Sequence, residues 1–404
     1  MDAKKIVYNY IFKPFENKRQ RHIGVELEFP LINKELKDVD TAFASDIFTH
    51  FKQYGFNPSI VENGEILFAE NSEKDCISFD NSYNNFEFSM NHGDNLLEIK
   101  HRFDNYYRLA FEYFLKQNHC LVGRGTNPNK KHITANPVPF SSYIMVKKYL
   151  TLVRGEHGMY DFPAYLSSVQ THLDAELSEL PFLYTLFAKL DFVRCLLFAN
   201  SPDFEGLTYR CFRDYLWEKS GFGCGLNITG KIDEEFLTVD ELAFYFLKKS
   251  VFNRERNGEI EVFEPVNIKD YFENPKYGAK EKDINNYLSF KTVELTSRGT
   301  LEVRGDCTQK EGHEFEPPAF NLGIRENAVK ADKRINEFFK TNDIKLSNSV
   351  LRDIVAEGKD VTLIAPLGAI NGLLKDMLEI SLEGLKMRSL CEEIILEKKE
   401  TVRY

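Results

Sequence analysis

Ile23-Gly-Val-Glu-Leu-Glu-Phe-Pro30 is the stretch that decides the architecture. Val25, Leu27 and Phe29 alternate with Glu26 and Glu28, the period of two that gives a strand one apolar face for a core and one polar face. The two glutamates therefore stand side by side. Adjacent carboxylates repel unless something positive lies between them, and a hard Mg2+ ion, which prefers oxygen ligands, fills that role. A solvated strand face also carries an isolated E-x-E, so the segment settles the strand and leaves its chemistry open.

Three further segments repeat the arrangement. Cys76-Ile-Ser-Phe-Asp80 and Asn84-Asn-Phe-Glu87 flank a turn, so Asp80 and Glu87 approach across the mouth of a hairpin. Leu166-Ser-Ser-Val-Gln-Thr-His-Leu-Asp174 places Gln170, His172 and Asp174 on one face, with Val169 and Leu173 on the other. A strand histidine is commonly structural; between Gln and Asp it also suits a ligand or a metal. Gly299-Thr-Leu-Glu-Val-Arg-Gly-Asp306 projects Glu302, Arg304 and Asp306 together. Such a trio serves either as a structural ion-pair network or as a group neutralising a transferring phosphoryl. Singly these segments decide little. Together they give three strands with paired polar groups on one face, and one acidic hairpin.

Around them, residues 58–90 read as short strands broken by Asn, Gly and Asp turns. Residues 4–18, 39–54, 94–117, 180–199 and 239–246 read as helices, 165–174 as a strand and 290–306 as two strands. Beyond Pro318 the pattern is helical over 321–341 and 365–400. The expectation is an α+β fold, an antiparallel sheet with flanking helices and a helical C-terminal part, and not a doubly wound one. The division expected is a catalytic unit over 1–320 and a helical region over 321–404 packed on it.

The composition, 43% hydrophobic and 28% charged over 404 residues, is that of a folded chain with a large core. A formal net charge of −10 disfavours a phosphate backbone as partner. No secretion signal or membrane span is read, and seven cysteines without C-x-x-C spacing point to reduced thiols and a cytoplasmic protein. Gly221-Phe-Gly-Cys-Gly225 lacks the Lys-Ser/Thr of a P-loop and reads as a loop, as does the Gly123-Arg-Gly-Thr126 turn. Asn227-Ile-Thr formally fits a glycosylation acceptor that carries no meaning without a secretory route, and Cys307 reads as a packed thiol.

In order and chemistry these segments resemble the glutamate–cysteine ligase family, in its plant and proteobacterial branch, and related carboxylate–amine ligases. Gly24-Val-Glu-Leu-Glu-Phe29 is similar to the family's G-x-E-x-E-F strand, and Asp80 stands seven positions before Glu87-Phe-Ser. Val169-Gln-Thr-His-Leu-Asp174 resembles V-Q-V-N-L-D, with His172 where the pattern has Asn. Leu197-Phe-Ala-Asn-Ser-Pro202, Glu205-Gly206 and Arg213-Asp-Tyr-Leu-Trp217 resemble F-A-N-S-P-x-x-E-G and R-x-x-x-W. Leu301-Glu-Val-Arg-Gly-Asp306 resembles L-E-M-R-G-A-D, with Asp-Cys307 in place of the final Ala-Asp. The likeness spans residues 20–320.

The resemblance implies a glutamine-synthetase-like curved antiparallel sheet and an enzyme that uses ATP and Mg2+ to join the side-chain carboxylate of glutamate to an amine, cysteine first among them. Glu26, Glu28, Asp80, Glu87 and Glu302 would hold Mg2+, and Gln170 and His172 would lie at the metal and nucleotide. Arg304 would steady the transferring phosphoryl with Glu302, while Arg213 and Asn200 would bind substrate carboxylate or phosphate. Other amines, and a non-catalytic binder of glutamate or nucleotide, stand as alternatives.

Overall fold

A computed structural model describes residues 1–17, 21–153, 155–156, 158–159, 161–202, 209–221, 232–287 and 289–397. Glu205, Gly206, residues 222–225 and Asn227 lie outside the described residues.

The stretch around Glu26 and Glu28 forms β1 (Ile23–Asn33), and Val25, Leu27 and Phe29 are fully buried. Residues 58–90 supply β2 (Asn57–Glu62), β3 (Glu65–Glu70), β4 (Cys76–Phe79) and β5 (Asn85–Gly93). β6 (His119–Leu121) and β7 (Ser168–Asp174) follow. β8 (Ser250–Arg256) and β9 (Glu259–Asn267) form a separate hairpin, and β10 (Val293–Leu295) and β11 (Thr300–Cys307) return to the main sheet. The main sheet runs β10-β11-β7-β1-β5-β4-β3-β2 with β6 beside β1, and its pairings are antiparallel. The expected α+β class with an antiparallel sheet, flanking helices and a helical C-terminal part is what the chain adopts.

The core lies on the face of Leu27. Helix Leu96–Leu115, capped by Asn95 and not by the neighbouring Asp94, packs Phe103 and Tyr107 against Phe29 and Phe88. The single helix expected over 180–199 is two, Leu180–Lys189 and Asp191–Phe198, broken at Leu190 where ψ reaches 0°. The β8–β9 hairpin escaped the sequence reading because its strands are charged. Cross-strand pairing of Arg254 with Glu261 at 2.7 Å offsets that. Asn257 and Gly258, with φ of 54° and 82°, are the hairpin turn that announces it. Among described residues no helix is long and apolar enough to cross a membrane.

The buried cluster is continuous past residue 320, from β1 to helix Leu367–Arg388. That helix crosses helix Glu316–Glu326 through two glycines. A Cβ on Gly384 would lie 2.0 Å from the Gly323 carbonyl oxygen, and one on Gly323 would lie 2.2 Å from that of Ser381. A Cβ on Gly372, in the same C-terminal helix, would meet nothing within 4 Å. Gly384→Ala should therefore destabilise the protein by about 1–3 kcal/mol through overpacking. Gly372→Ala should be neutral or stabilise by up to about 1 kcal/mol through helix propensity. Urea midpoints of the two variants check the contrast; equal shifts would mean the crossing has slack.

Candidate active site

Strand register decides which polar groups meet. Glu28 lies opposite Glu87 across β1 and β5, and Glu26 lies opposite Gln170 across β1 and β7. His172 lies opposite Glu302 across β7 and β11, and Glu302 opposite Glu294 across β11 and β10. Because the side-chain period is two, these groups share the face turned away from Leu27 and Phe88. Gly24 is directly opposite His172, and a Cβ there would come within 3.4 Å of the His172 Cβ. The glycine leaves the imidazole room.

Glu26, His172 and Glu302 present ligand atoms within 4.8 Å of one another. His172 Nε2 is 3.1 Å from Glu26 Oε1 and 3.7 Å from Glu302 Oε1. Arg298, in the turn between β10 and β11, donates to Glu26 Oε1 at 3.2 Å. Glu28 accepts from the Ser168 backbone N–H at 2.9 Å, the Ser168 hydroxyl at 2.9 Å, Gln170 Nε2 at 2.8 Å and Asn85 Nδ2 at 3.4 Å. Glu87 accepts from Ser89 at 2.6 Å and Ser78 at 3.3 Å, and Asp80 from Asn85 at 3.4 Å. Arg304 lies 3.4 Å from Glu302 Oε2, with its guanidinium 5.2 Å from the centre of the Phe290 ring. Arg213 donates Nη2 to the Arg304 carbonyl at 3.2 Å, and its Nε is a buried donor with no hydrogen-bond partner among the described residues. Glu294 is taken by the fully buried ammonium of Lys249.

Crowding of like charge governs the electrostatics. Burial, reinforced by the Glu28 charge, pushes Asp80 up to about 7. Burial and the charges of Glu26, Asp80 and Glu28 hold Glu87 well above the usual carboxylate range. Burial also raises Glu28, against the Arg213 charge and the Ser168 and Gln170 hydrogen bonds. Glu26 goes the other way: burial is outweighed by His172 and Arg298, and its carboxyl is lowered. Burial would depress Arg304, but Glu302, Glu26 and Glu294 raise it, so the guanidinium stays charged.

The structure thus brings together Glu26, Glu28, Asp80, Glu87, Gln170, His172, Glu302, Arg304 and Arg213. It does not bring Asp306. The β11–β7 register takes in one extra residue between Val303 and Asp306, a bulge that turns Asp306 to the opposite face. There it accepts from Asn321 Nδ2 at 2.9 Å and lies 4.0 Å from Arg194. The expectation that Glu302, Arg304 and Asp306 project together is corrected at its third member. The Asn200 side-chain amide is spent on two backbone carbonyls, Gly123 at 2.9 Å and Thr308 at 2.8 Å. Cys307 is buried, with Sγ 3.6 Å from Cys211 Sγ and its thiol raised well above the usual range, first by its bond to Cys211 and then by burial. Gly123 and Gly125 press against Gln309 and Cys307, so the Gly123 turn serves close packing.

Sequence reasoning missed Arg298, which it quoted only as part of a turn, and Tyr143, which hydrogen-bonds Asp80 from helix Ser141–Val153. Neither carries a local signal, since both reach the face from elements that only the tertiary fold brings near. A cavity of about 740 Å³ opens beside Glu26, His172 and Arg298, walled further by His22, Cys76 and Asp174.

No family model and no curated protein matches the sequence. Among solved structures the chain is similar to a bifunctional glutathione synthetase from Pasteurella multocida, at 12% identity and a TM-score of 0.44 over 98% of this chain and 48% of that one. It is similar also to a glutamate–cysteine ligase from Francisella tularensis in complex with AMP, at 11% identity and a TM-score of 0.43 over 97% and 84%. The chain thus spans about half the length of the bifunctional synthetase. Likeness at this level leaves the chemistry of the site to its side chains.

Those side chains define an acidic face that a divalent cation would relieve. Mg2+ or Mn2+ should raise the melting temperature of the wild type, and Glu26→Gln should remove most of that rise. Glu87→Gln, which removes a carboxyl whose ionisation burial and its acidic neighbours oppose, should stabilise the metal-free protein at neutral pH by about 0.5–2 kcal/mol. Thermal unfolding with the metal chloride and with a chelator reads both; a metal response intact in Glu26→Gln would exclude Glu26 as a ligand.

Proposed function

We propose that this chain is an ATP- and Mg2+-dependent ligase that phosphorylates the side-chain carboxylate of glutamate and couples it to an amine, with cysteine as the acceptor. The observation that carries the reading is the single sheet face on which Glu26, His172 and Glu302 converge within 4.8 Å while Arg304 and Arg213 stand beside them. Two carboxylates and an imidazole suit a divalent ion, and the unpartnered Nε of Arg213 suits an anion. The residues fit both groups the reading requires.

In this reading Glu26, Glu302 and His172, with Glu28, Asp80 and Glu87 behind them, hold the ion. A divalent ion, when bound, supplies charge neutralisation and Lewis acidity at the phosphates of ATP. A carboxylate is a poor acyl donor, so the glutamate oxygen first takes the γ-phosphoryl and ADP leaves. The amine nitrogen then attacks the acyl carbon, phosphate departs, and the nitrogen gives up a proton. Arg304, over the Phe290 ring, meets the charge that develops on the transferring phosphoryl. Arg213 holds the second anion, substrate carboxylate or phosphate. Gln170 and Ser168 fix the Glu28 carboxylate through three hydrogen bonds, and so keep its strand-face neighbours in place.

One assay tests the reading: ATP, Mg2+, glutamate and a panel of amino acids and amines, with ADP release and product mass followed together. Arg304→Ala and Glu302→Gln should each lower turnover by about 100-fold or more with the protein still folded. Near-normal rates would remove them from the site. Turnover on another amine, with none on cysteine, overturns the acceptor; silence across the panel with ATP still bound favours a binding protein over an enzyme.

A further inference from the structure

The bulge in β11 has two consecutive carbonyls at its centre, and each is taken by a guanidinium from outside the sheet. The Arg304 carbonyl accepts from Arg213 Nη2 at 3.2 Å, and the Gly305 carbonyl accepts from Arg352 Nη2 at 3.2 Å. Arg352 comes from helix Asn348–Ala356, in the C-terminal region where the sequence offered no motif, and it is 1% exposed. Its Nε and Nη2 hold both oxygens of Asp214 at 2.6 and 3.1 Å, and its Nη1 donates to the Asp191 carbonyl at 2.9 Å and to Asp191 Oδ1 at 3.2 Å. Asp214 is the next residue after Arg213, on helix Phe212–Glu218. The last residue of the Arg352 helix, Ala356, takes the N–H groups of Arg210 at 2.9 Å and Cys211 at 3.1 Å.

We propose that Arg352 is a positioning residue that, from the C-terminal helices, fixes the separation of Arg304 and Arg213. It grips the bulge at Arg304 and Gly305 and the helix that carries Arg213. The ligase reading enters only in what those two guanidiniums hold. The bulge has no slack to drift, because a Cβ on Gly305 would already lie 3.2 Å from Thr292 and 3.3 Å from the Asp191 carboxylate. The task needs an arginine: a planar fork with five donors reaches two carboxylates and two carbonyls at once, and an ammonium does not. All of its hydrogen bonds given above go to scaffold groups and none to the acidic face, so it acts through the other two arginines.

The molecule carries its own reporter. Trp217, the sole tryptophan, rides the Arg213 helix and stacks on Phe290 with ring centres 4.0 Å apart. Arg304 lies over the same ring. Emission from Trp217 therefore reads the relation of the helix to Arg304.

The decisive variant is Arg352→Lys, which keeps a positive charge between Asp191 and Asp214 and loses the fork. It should keep the wild-type rise in melting temperature with Mg2+ and shift the Trp217 emission. It should also weaken binding of Mg2+ with tripolyphosphate, titrated through that emission, by about 10–100-fold, and lower kcat for ADP release to a similar degree. Free guanidinium should partly restore both in Arg352→Ala, which no general loss of stability would allow. Asp214→Asn, which leaves Arg352 intact and cuts its hold on the helix, should reproduce the emission shift if Arg352→Lys does not fold. Unchanged emission and wild-type tripolyphosphate affinity in a folded Arg352→Lys overturn the proposal. A wild type that neither releases ADP nor binds tripolyphosphate sinks the ligase reading alone, and the emission of ligand-free Arg352→Lys still decides the positioning claim.

Discussion

Repulsion among carboxylates on one sheet face is the constraint to which the surrounding structure answers. Glu28 faces Glu87 across β1 and β5, Glu26 stands two residues away, and Asp80 sits at the adjoining strand end. Placing that much like charge in a buried setting disfavours the ionised forms, and the neighbours show how the chain manages it. Glu28 is wrapped by four donors, Glu26 leans on His172 and Arg298, and Glu87 is braced by two serines. At the edge of the patch, Lys249 pairs with Glu294, and Arg304 stands against Glu302. A sheet selected for stability alone would fill these positions with Thr and Val. In the proposed reading, these acids are there to hold a divalent cation.

Assembly of that face needs only strand parity and register, with one exception. Each of β1, β5, β7 and β11 contributes residues two apart, and antiparallel pairing slides them into one patch. The exception is the bulge at Arg304 and Gly305. Without the extra residue, Arg304 would keep parity with Asp306, and either the arginine would leave the face or the aspartate would join an already crowded one. With it, Arg304 stays and Asp306 goes under the sheet to Asn321 and Arg194. One inserted residue thus separates a site cation from a structural anion.

This explains what was legible in the sequence. The alternation at Val25, Leu27 and Phe29 predicts β1 and its inward face, and the acidic pair follows without any tertiary knowledge. Gln170, His172 and Glu302 were readable for the same reason. The bulge was not, because two readings of Val303-Arg-Gly-Asp306 differ only in how β7 pairs with it, a non-local fact. Arg298 and Tyr143 were invisible on the same ground: one sits in a turn and one on a helix distant in sequence, and neither has a partner until the chain is folded. The helices 348–356 and 141–153 escaped the sequence reading although each buries an apolar stripe, Leu351, Ile354 and Val355 in one and Met145, Val146 and Leu150 in the other. Both are short enough for the period of 3.6 to be hard to tell from other patterns. The charged β8–β9 hairpin hid behind its polarity although Asn257-Gly258 marked its turn.

The C-terminal helices take on a different meaning in this light. Buried Arg352, Arg194, Asp191 and Asp306 form an ionic network with the partly buried Asp214, and burying ions costs more than burying apolar groups of the same size. Helix Asn348–Ala356 could dock on helix Asp191–Phe198 through Leu351 and Val355 alone, both fully buried. Apolar contact is non-directional and would tolerate a slide between the helices. A guanidinium shared by two carboxylates and a bulge carbonyl does not, since its hydrogen bonds are directional and a slide would break several at once. The network gives up stability for register, and the register it fixes is that of the helix bearing Arg213 against the strand bearing Arg304. The C-terminal region is therefore tied, through Asp214 and the Gly305 carbonyl, to the helix and the strand that carry the two arginines.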